Sequence, residues 1–321
     1  MRIGNLVFQA ESVYDESITI PDSFVFPVNK TCNGHGEAKL YMGPKDSLRT
    51  FYTGSPNQAG FKADCFMLRS DLEKFMNEIK REYQQPSILY RGMNGNTGNM
   101  MEFWKDRKKK ISSLPNVIYF TVTEQKQISG DRGYVNAHNS NAYSLIRELA
   151  LPFVSYLSVM KVREKNTKGF LFYWRIFVDY TQMSQQQYIA THYGSKNYVE
   201  LGKIRKGQLR YRLQLFDIYK HCPFTKIDDP HILVASHIKP WAVCRQGQKY
   251  DPNNGFLLSP LYDKLFDKGY ISFDDNGRLL ISDWLSQANK KRISFNYDKS
   301  ELLLNDERKK YLRYHRDHIF K

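Results

Sequence analysis

Apolar residues in roughly the first 180 positions come mostly as short runs or in alternation, the spacing of strands. Ser23-Phe24-Val25-Phe26 is one such run among the many turn-formers of residues 1–60, which read as β structure with long loops. Val117-Ile118-Tyr119-Phe120-Thr121-Val122 predicts a strand. So do residues 153–162 and 169–180, the latter with Phe170, Phe172, Trp174, Ile176 and Val178 in alternation. Residues 70–83 switch to helical spacing: Leu72, Phe75, Met76 and Ile79 share one face, with Ser70 as N-cap and Glu73 three positions on. That stripe reads as core. The polar stretch 181–202 reads as a linker.

Beyond it the pattern changes. Residues 203–216 predict a basic amphipathic helix, with Leu209, Leu213 and Phe216, joined by Leu215, as its apolar side. Arg205, Lys206, Arg210 and Arg212 belong to its wet side. A short apolar strand, Ile232-Leu233-Val234, is closed by His237. Asn254-Gly255 opens a second apolar strand, and Asp263 stands at the start of a helix. Tyr270-Ile271-Ser272-Phe273 and Arg278-Leu279-Leu280-Ile281 flank Asp274-Asp275-Asn276-Gly277, a hairpin signal. Residues 307–316 read as a basic helix. The expected fold class is α+β. A β-rich mixed N-terminal domain, residues 1–190, precedes a second domain, residues 191–321, with basic flanking helices.

Composition narrows the function. A chain of 321 residues can hold two cores, and 41% apolar with 14% aromatic residues argues for folded structure throughout. The four cysteines form no CxxC pair, which leaves a zinc knuckle without support. The Gly/Asn-rich stretch 91–99 lacks the Lys-Ser/Thr of a phosphate-binding loop. No run of about 18 apolar residues and no signal-peptide core is present, so the expectation is a cytoplasmic, reduced protein without a membrane partner. The net charge is +15, and residues 201–250 alone carry 10 basic against 3 acidic side chains. That balance favours a phosphate-rich partner.

The chemistry that fits is phosphodiester hydrolysis. A water must lose a proton as it attacks phosphorus, the crowded phosphate must be stabilised, and the leaving 3′ oxygen must be neutralised. A neutral imidazole suits the first task, since it titrates near the working pH. One divalent metal serves the other two. His237 is the candidate base, and Asp263 is a hard oxygen ligand of the kind magnesium prefers. The loop 239–252 carries Trp241, Arg245 and Lys249, a wall suited to a phosphate backbone.

In these residues the chain resembles the HNH endonucleases, which use the ββα-metal fold. The likeness rests on Ala235-Ser236-His237-Ile238-Lys239-Pro240-Trp241, Asn254-Gly255-Phe256-Leu257-Leu258-Ser259-Pro260 and Leu261-Tyr262-Asp263-Lys264-Leu265-Phe266-Asp267-Lys268-Gly269. It extends over residues 203–321 and looks like the branch found at the C-terminus of bacterial restriction-type enzymes. The resemblance implies that His237 is the general base. Asn254 would either help hold the metal or fix the loop that orients the base. Asp263 takes the place of the last His as a metal ligand. Ser236 stands where such sites often have an Asp ligand, a weak hydroxyl donor in its place, and Asp251 is a candidate to compensate. The implied cofactor is one divalent ion, Mg2+ or alternatively Mn2+. Double-stranded DNA would be gripped by Lys206, Arg210, Arg212, Lys239, Arg245 and Lys249.

The implied activity is that of a sequence-specific DNA endonuclease of restriction type, acting as a homodimer, with a cognate methyltransferase as a possible partner. The alternatives are a nuclease that senses modified bases, or a DNA-binding protein whose HNH module no longer cuts. The first domain carries no resemblance of its own; its place implies a target-recognition module. Its aromatic residues Tyr41, Phe51, Tyr52, Tyr90, Trp104, Tyr119 and Phe120 read as β-core, with base contact as the alternative. Asp267 reads as a helix brace, Cys222 as a small buried residue, and His315 and His318 as surface residues.

Overall fold

The computed structural model describes residues 2–3, 6–19, 40–84, 100–125, 130–137, 141–151, 154–164, 169–179 and 198–321, with side chains in the helix from residue 198 described from Gly207 onward. The chain divides into two compact units, Met1–Asp179 and Tyr180–Lys321. The expected boundary after residue 190, most of the linker 181–202, Tyr90 and the stretch 91–99 lie outside the described residues.

The first unit mixes helices with a large sheet. Its strands are β1 (Arg2–Ile3), β2 (Leu6–Thr19), β3 (Leu40–Pro44), β4 (Lys62–Leu68), β5 (Val117–Glu124), β6 (Arg132–Asn136), β7 (Ser155–Glu164) and β8 (Phe170–Val178). Its helices are α1 (Lys45–Thr53), α2 (Arg69–Glu78), α3 (Lys80–Gln84), α4 (Met100–Ser112) and α5 (Asn141–Leu149). The sheet runs β1-β2-β7-β8-β4-β5-β6-β3, and β4 with β8 is the parallel pair. Tyr14 on β2 donates to the Met42 carbonyl on β3, so the far strand curls back toward the other edge. Alternation does the packing: Trp174 on β8 is fully buried opposite Val159, edge-on to Phe120.

Of the aromatics that could contact bases, Phe51, Tyr52 and Phe120 are core, while Tyr41 and Tyr119 stay exposed. Trp104 donates to the Met76 carbonyl at 2.8 Å. Helix α2 follows β4 without a loop, and Ser70 is not its cap. The Arg69 N–H bonds the Asn116 carbonyl at 3.0 Å, so a neighbouring segment satisfies that amide instead. Leu72, Phe75, Met76 and Ile79 are buried, as their spacing predicts.

The second unit holds α6 (Tyr198–Ile218), β9 (Val234–His237), β10 (Gly255–Leu258), α7 (Pro260–Asp267), β11 (Ile271–Phe273), β12 (Leu279–Ile281), α8 (Gln287–Arg292) and α9 (Asp306–His318). Strands β9 and β10 pair antiparallel, with His237 opposite Gly255 and Ser236 opposite Phe256. Strand β10 runs into α7 through the single residue Ser259, which sets Asp263 in the first turn of the helix. Strands β11 and β12 form the expected hairpin.

Helix α6 turns a different face inward from the one its leucines suggested. Tyr211, Leu215 and Tyr219 are buried, whereas Leu209 and Leu213 are 58% and 55% exposed. The reason is tertiary: Tyr211 and Tyr219 each donate a hydrogen bond to a carbonyl, of Asn254 and Leu302 respectively, both at 3.0 Å. An apolar stripe without such partners lost to an aromatic one with them.

Helix α9 is not a free basic tail. Arg308 is buried, and its guanidinium donates to the Leu303 and Pro252 carbonyls. Tyr311 donates to Asp251 at 2.8 Å. His315, expected on the surface, is core: it is 1% exposed, stacks on Phe266 at 3.9 Å, and bonds Ser272 and the Phe266 carbonyl. Among the described residues no helix is long and apolar enough to cross a membrane.

Burial pulls the His315 pKa down from its ordinary value to about 3. The unfolded chain, with a pKa of about 6.5, therefore takes up a proton that the folded chain refuses. His315's part of the stability is full above that value and is lost as pH falls through it. Between pH 7 and pH 5 the exchange-derived opening free energy of α9 amides is expected to drop by about 2 kcal/mol on this account. Hydrogen–deuterium exchange of the wild type and His315→Gln checks it: the variant should lack that part of the slope.

Candidate active site

His237 ends β9, and its ring is held on three sides. Nε2 lies 3.0 Å from the Lys249 carbonyl. A carbonyl only accepts, so Nε2 carries the proton and Nδ1 keeps a lone pair. Tyr211 stacks on one face at 4.4 Å and 19° between planes, and Trp241 stands edge-on at 5.6 Å and 84°. Burial lowers the pKa of His237, against a smaller upward pull from the Lys249 carbonyl, so the ring is a neutral acceptor at pH 7.

Asn254 explains why that carbonyl is in place. It is fully buried, and every polar atom of its side chain is used. Its Oδ1 accepts from the Lys239 N–H at 2.7 Å. Its Nδ2 donates to the Lys239 carbonyl at 3.2 Å, the Gln248 carbonyl at 3.0 Å and the Cys244 sulfur at 3.2 Å. The amide thus clamps both ends of the loop 239–248, next to Lys249. Of its two expected roles this geometry offers the loop-fixing one, because the oxygen a metal would need already accepts an amide in the core. Asp251 is also taken: it accepts from Asn253 and Tyr311, and it does not line the cavity described next.

A cavity of about 220 Å³ opens beside His237, lined by Ser236, His237, Trp241, Asp263, Asp267 and His315 among others. Burial raises the pKa of Asp263; the Ser236 hydroxyl and Lys264 lower it by less. No salt bridge ties this carboxylate to a basic side chain among the described residues. The Ser236 hydroxyl is buried and makes no hydrogen bond of ordinary geometry. Each group carries a cost: the half-buried carboxylate is partly desolvated without a bonded cation, and the hydroxyl beside it lacks a hydrogen bond of ordinary geometry. A small hard cation relieves both costs at once, and the donors here are all oxygen, as such a cation prefers. Asp267, one turn beyond Asp263, faces the same cavity, a placement that its reading as a helix brace does not describe. Among the described residues no three His, Cys, Asp or Glu side chains cluster as a ready-made ligand set.

The six expected DNA-contacting residues divide. Arg210 and Arg245 have exposed side chains. The Lys249 ammonium sits 4.9 Å over the Trp241 ring. Lys239 reaches Gln248 at 3.0 Å and lies 4.7 Å over Tyr314. Arg212 is half-exposed, and its guanidinium donates to the Leu233 and Pro230 carbonyls, bridging the segment leading into β9. The side chain of Lys206 lies outside those described.

Two participants escaped the sequence reading. The Lys249 carbonyl leaves no trace in a side-chain pattern. Asp267 did leave one, its four-residue spacing from Asp263, which places both on one helix face.

Residues 222–274 match the family model described as HNH endonuclease, and the match spans β9, β10, α7 and β11. The C-terminal region therefore carries an HNH domain. No curated protein matches the chain.

Replacing Asn254 by Ala strands the Lys239 amide and the Gln248 carbonyl in the core. The expected cost is about 2–4 kcal/mol, read from urea unfolding of the full chain. Lys239→Ala, which leaves the clamped backbone groups alone, should cost much less.

Proposed function

We propose that this chain, whose C-terminal region carries an HNH domain, is a metal-dependent DNA endonuclease in which His237 is the general base. The observation that carries the reading is the commitment of Nε2 to the Lys249 carbonyl, because it leaves Nδ1 as a neutral acceptor beside a cavity that is also lined by the half-buried Asp263 carboxylate. In this reading Nδ1 takes the proton of the attacking water. Lys249 and Asn254 hold the ring and the loop still while it does so. Asp263, Ser236 and Asp267 would hold the divalent ion, magnesium or manganese. When bound, that ion supplies Lewis-acid stabilisation of the crowded phosphate and of the leaving 3′ oxygen.

Arg210 and Arg245 grip phosphates electrostatically, with Lys239 and Lys249 at the loop, and Arg212 acts through the fold instead. The first unit serves as the recognition module of a restriction-type enzyme. A cut of both strands then calls for two copies of the site, supplied by a homodimer. A competing reading, a DNA-binding module that no longer cuts, draws on Ser236, whose neutral hydroxyl is a weak ligand for a cation.

Plasmid incubated with the full chain and magnesium or manganese should be nicked or linearised, and EDTA should stop it. His237→Ala should lower the rate by about a hundredfold or more, while DNA binding in EDTA stays within about twofold. Asp263→Ala should lose both cutting and manganese affinity by calorimetry. Because burial lowers the His237 pKa, the acid-side fall in rate, as Nδ1 takes up a proton, should come at a pH below the ordinary imidazole range. A wild type inert on methylated and unmethylated plasmid alike would leave the non-cutting reading standing.

A further inference from the structure

Tyr211 lies on α6, upstream of the matched residues 222–274. Four observations converge on it. Its ring stacks on His237, 4.4 Å between centroids and 19° between planes. Its hydroxyl donates to the Asn254 carbonyl at 3.0 Å, and that carbonyl also accepts the Ile238 N–H at 3.1 Å, the amide next to the base. The residue is 2% exposed, so neither contact is shared with solvent. Finally, Gly255 sits directly opposite His237 in the strand pair, and a Cβ built there would overlap the Tyr211 hydroxyl. Its backbone is ordinary extended strand, with φ −158°, so the glycine serves close approach and not an unusual turn.

We infer that Tyr211 is a positioning residue for His237: its stack and its hydroxyl tether hold the imidazole in the orientation and tautomer that leave Nδ1 free to accept a proton. The physical case is rotational. To turn over about its Cβ–Cγ bond, the imidazole must leave the Tyr211 face and give up the Lys249 carbonyl together. Trp241, edge-on to the ring, narrows the path further. A single hydrogen bond to a loop carbonyl permits rocking; a hydrogen bond plus a flat buried wall does not. Because the wall belongs to a helix tied to Asn254, the base, the clamp and the wall move as one body.

The inference rests on the proposed role of His237, and the test separates the two. Full-length Tyr211→Phe and Tyr211→Leu are compared with wild type in three ways: the long-range 1H–15N spectrum of the His237 ring, kcat and KM for plasmid nicking, and DNA binding in EDTA. The wild-type ring should show the Nε2–H tautomer pattern. Tyr211→Phe keeps the stack and loses the tether; a kcat loss of about threefold to tenfold and a partly mixed tautomer are expected. Tyr211→Leu loses both; a kcat loss beyond about tenfold is expected, with KM and binding in EDTA within about threefold. Either variant, folded by its amide spectrum, with a wild-type ring pattern and kcat within about twofold of wild type overturns the inference. If Tyr211→Leu does not fold, Tyr211→Phe decides alone. If the wild type does not cut, the nuclease reading fails, and the ring spectra still decide whether Tyr211 sets the tautomer.

Discussion

The hydrogen bond from His237 Nε2 to the Lys249 carbonyl sets which ring nitrogen can do chemistry, and much of the second unit is arranged around keeping that carbonyl still. Asn254 clamps the loop just before Lys249 through Lys239 and Gln248. Asp251, just after it, caps the turn that follows by accepting the Asn253 N–H, and it is held by Tyr311 of α9. Arg308, on the same helix, anchors Pro252 from inside the core. A helix more than fifty residues further along the chain thereby helps to fix the loop between β9 and β10. That is how a flexible connection acquires the precision of a strand end: each buried amide and carbonyl has a partner it cannot leave without a cost of about 1–3 kcal/mol.

Burial shifts two of the cavity's titratable groups in opposite directions. Burial pushes His237 toward the neutral ring and pushes Asp263 toward the neutral acid. The imidazole is thereby kept as a neutral proton acceptor. The carboxylate is partly desolvated, and the Ser236 hydroxyl beside it is unsatisfied. A cation bound in the cavity would relieve both. His237 ends β9, and Asp263 stands in the first turn of α7, which follows β10, the strand paired with β9.

Basic side chains in the second unit serve two purposes that composition cannot tell apart. Arg212 and Arg308 spend their guanidinium groups on backbone carbonyls and act as fasteners. Arg210 and Arg245 project outward. The surplus of positive charge in residues 201–250 is therefore an overestimate of the charge available to a phosphate backbone. Aromatic residues divide likewise in the first unit, where Phe51, Tyr52 and Phe120 are core while Tyr41 and Tyr119 remain exposed.

The sequence by itself determined the local elements that carry the site: the apolar run into His237, Asn254-Gly255 at the start of the second strand, and Asp263 at the head of a helix. These are set by short-range patterning and by residue chemistry, both of which are written in consecutive letters. It also carried the hairpin at residues 271–281 and the apolar stripe of α2. Only the tertiary structure decided what each group touches. It turned Tyr211 inward and Leu209 and Leu213 outward, because hydrogen-bonded rings outcompeted an apolar stripe with nothing to cover it. It buried His315, spent Arg212 on carbonyls, gave Asn254 to the loop and brought Asp267 to the cavity. Burial and hydrogen-bond partners are properties of distant pairs, and no spacing along a single chain encodes which distant carbonyl a side chain will find.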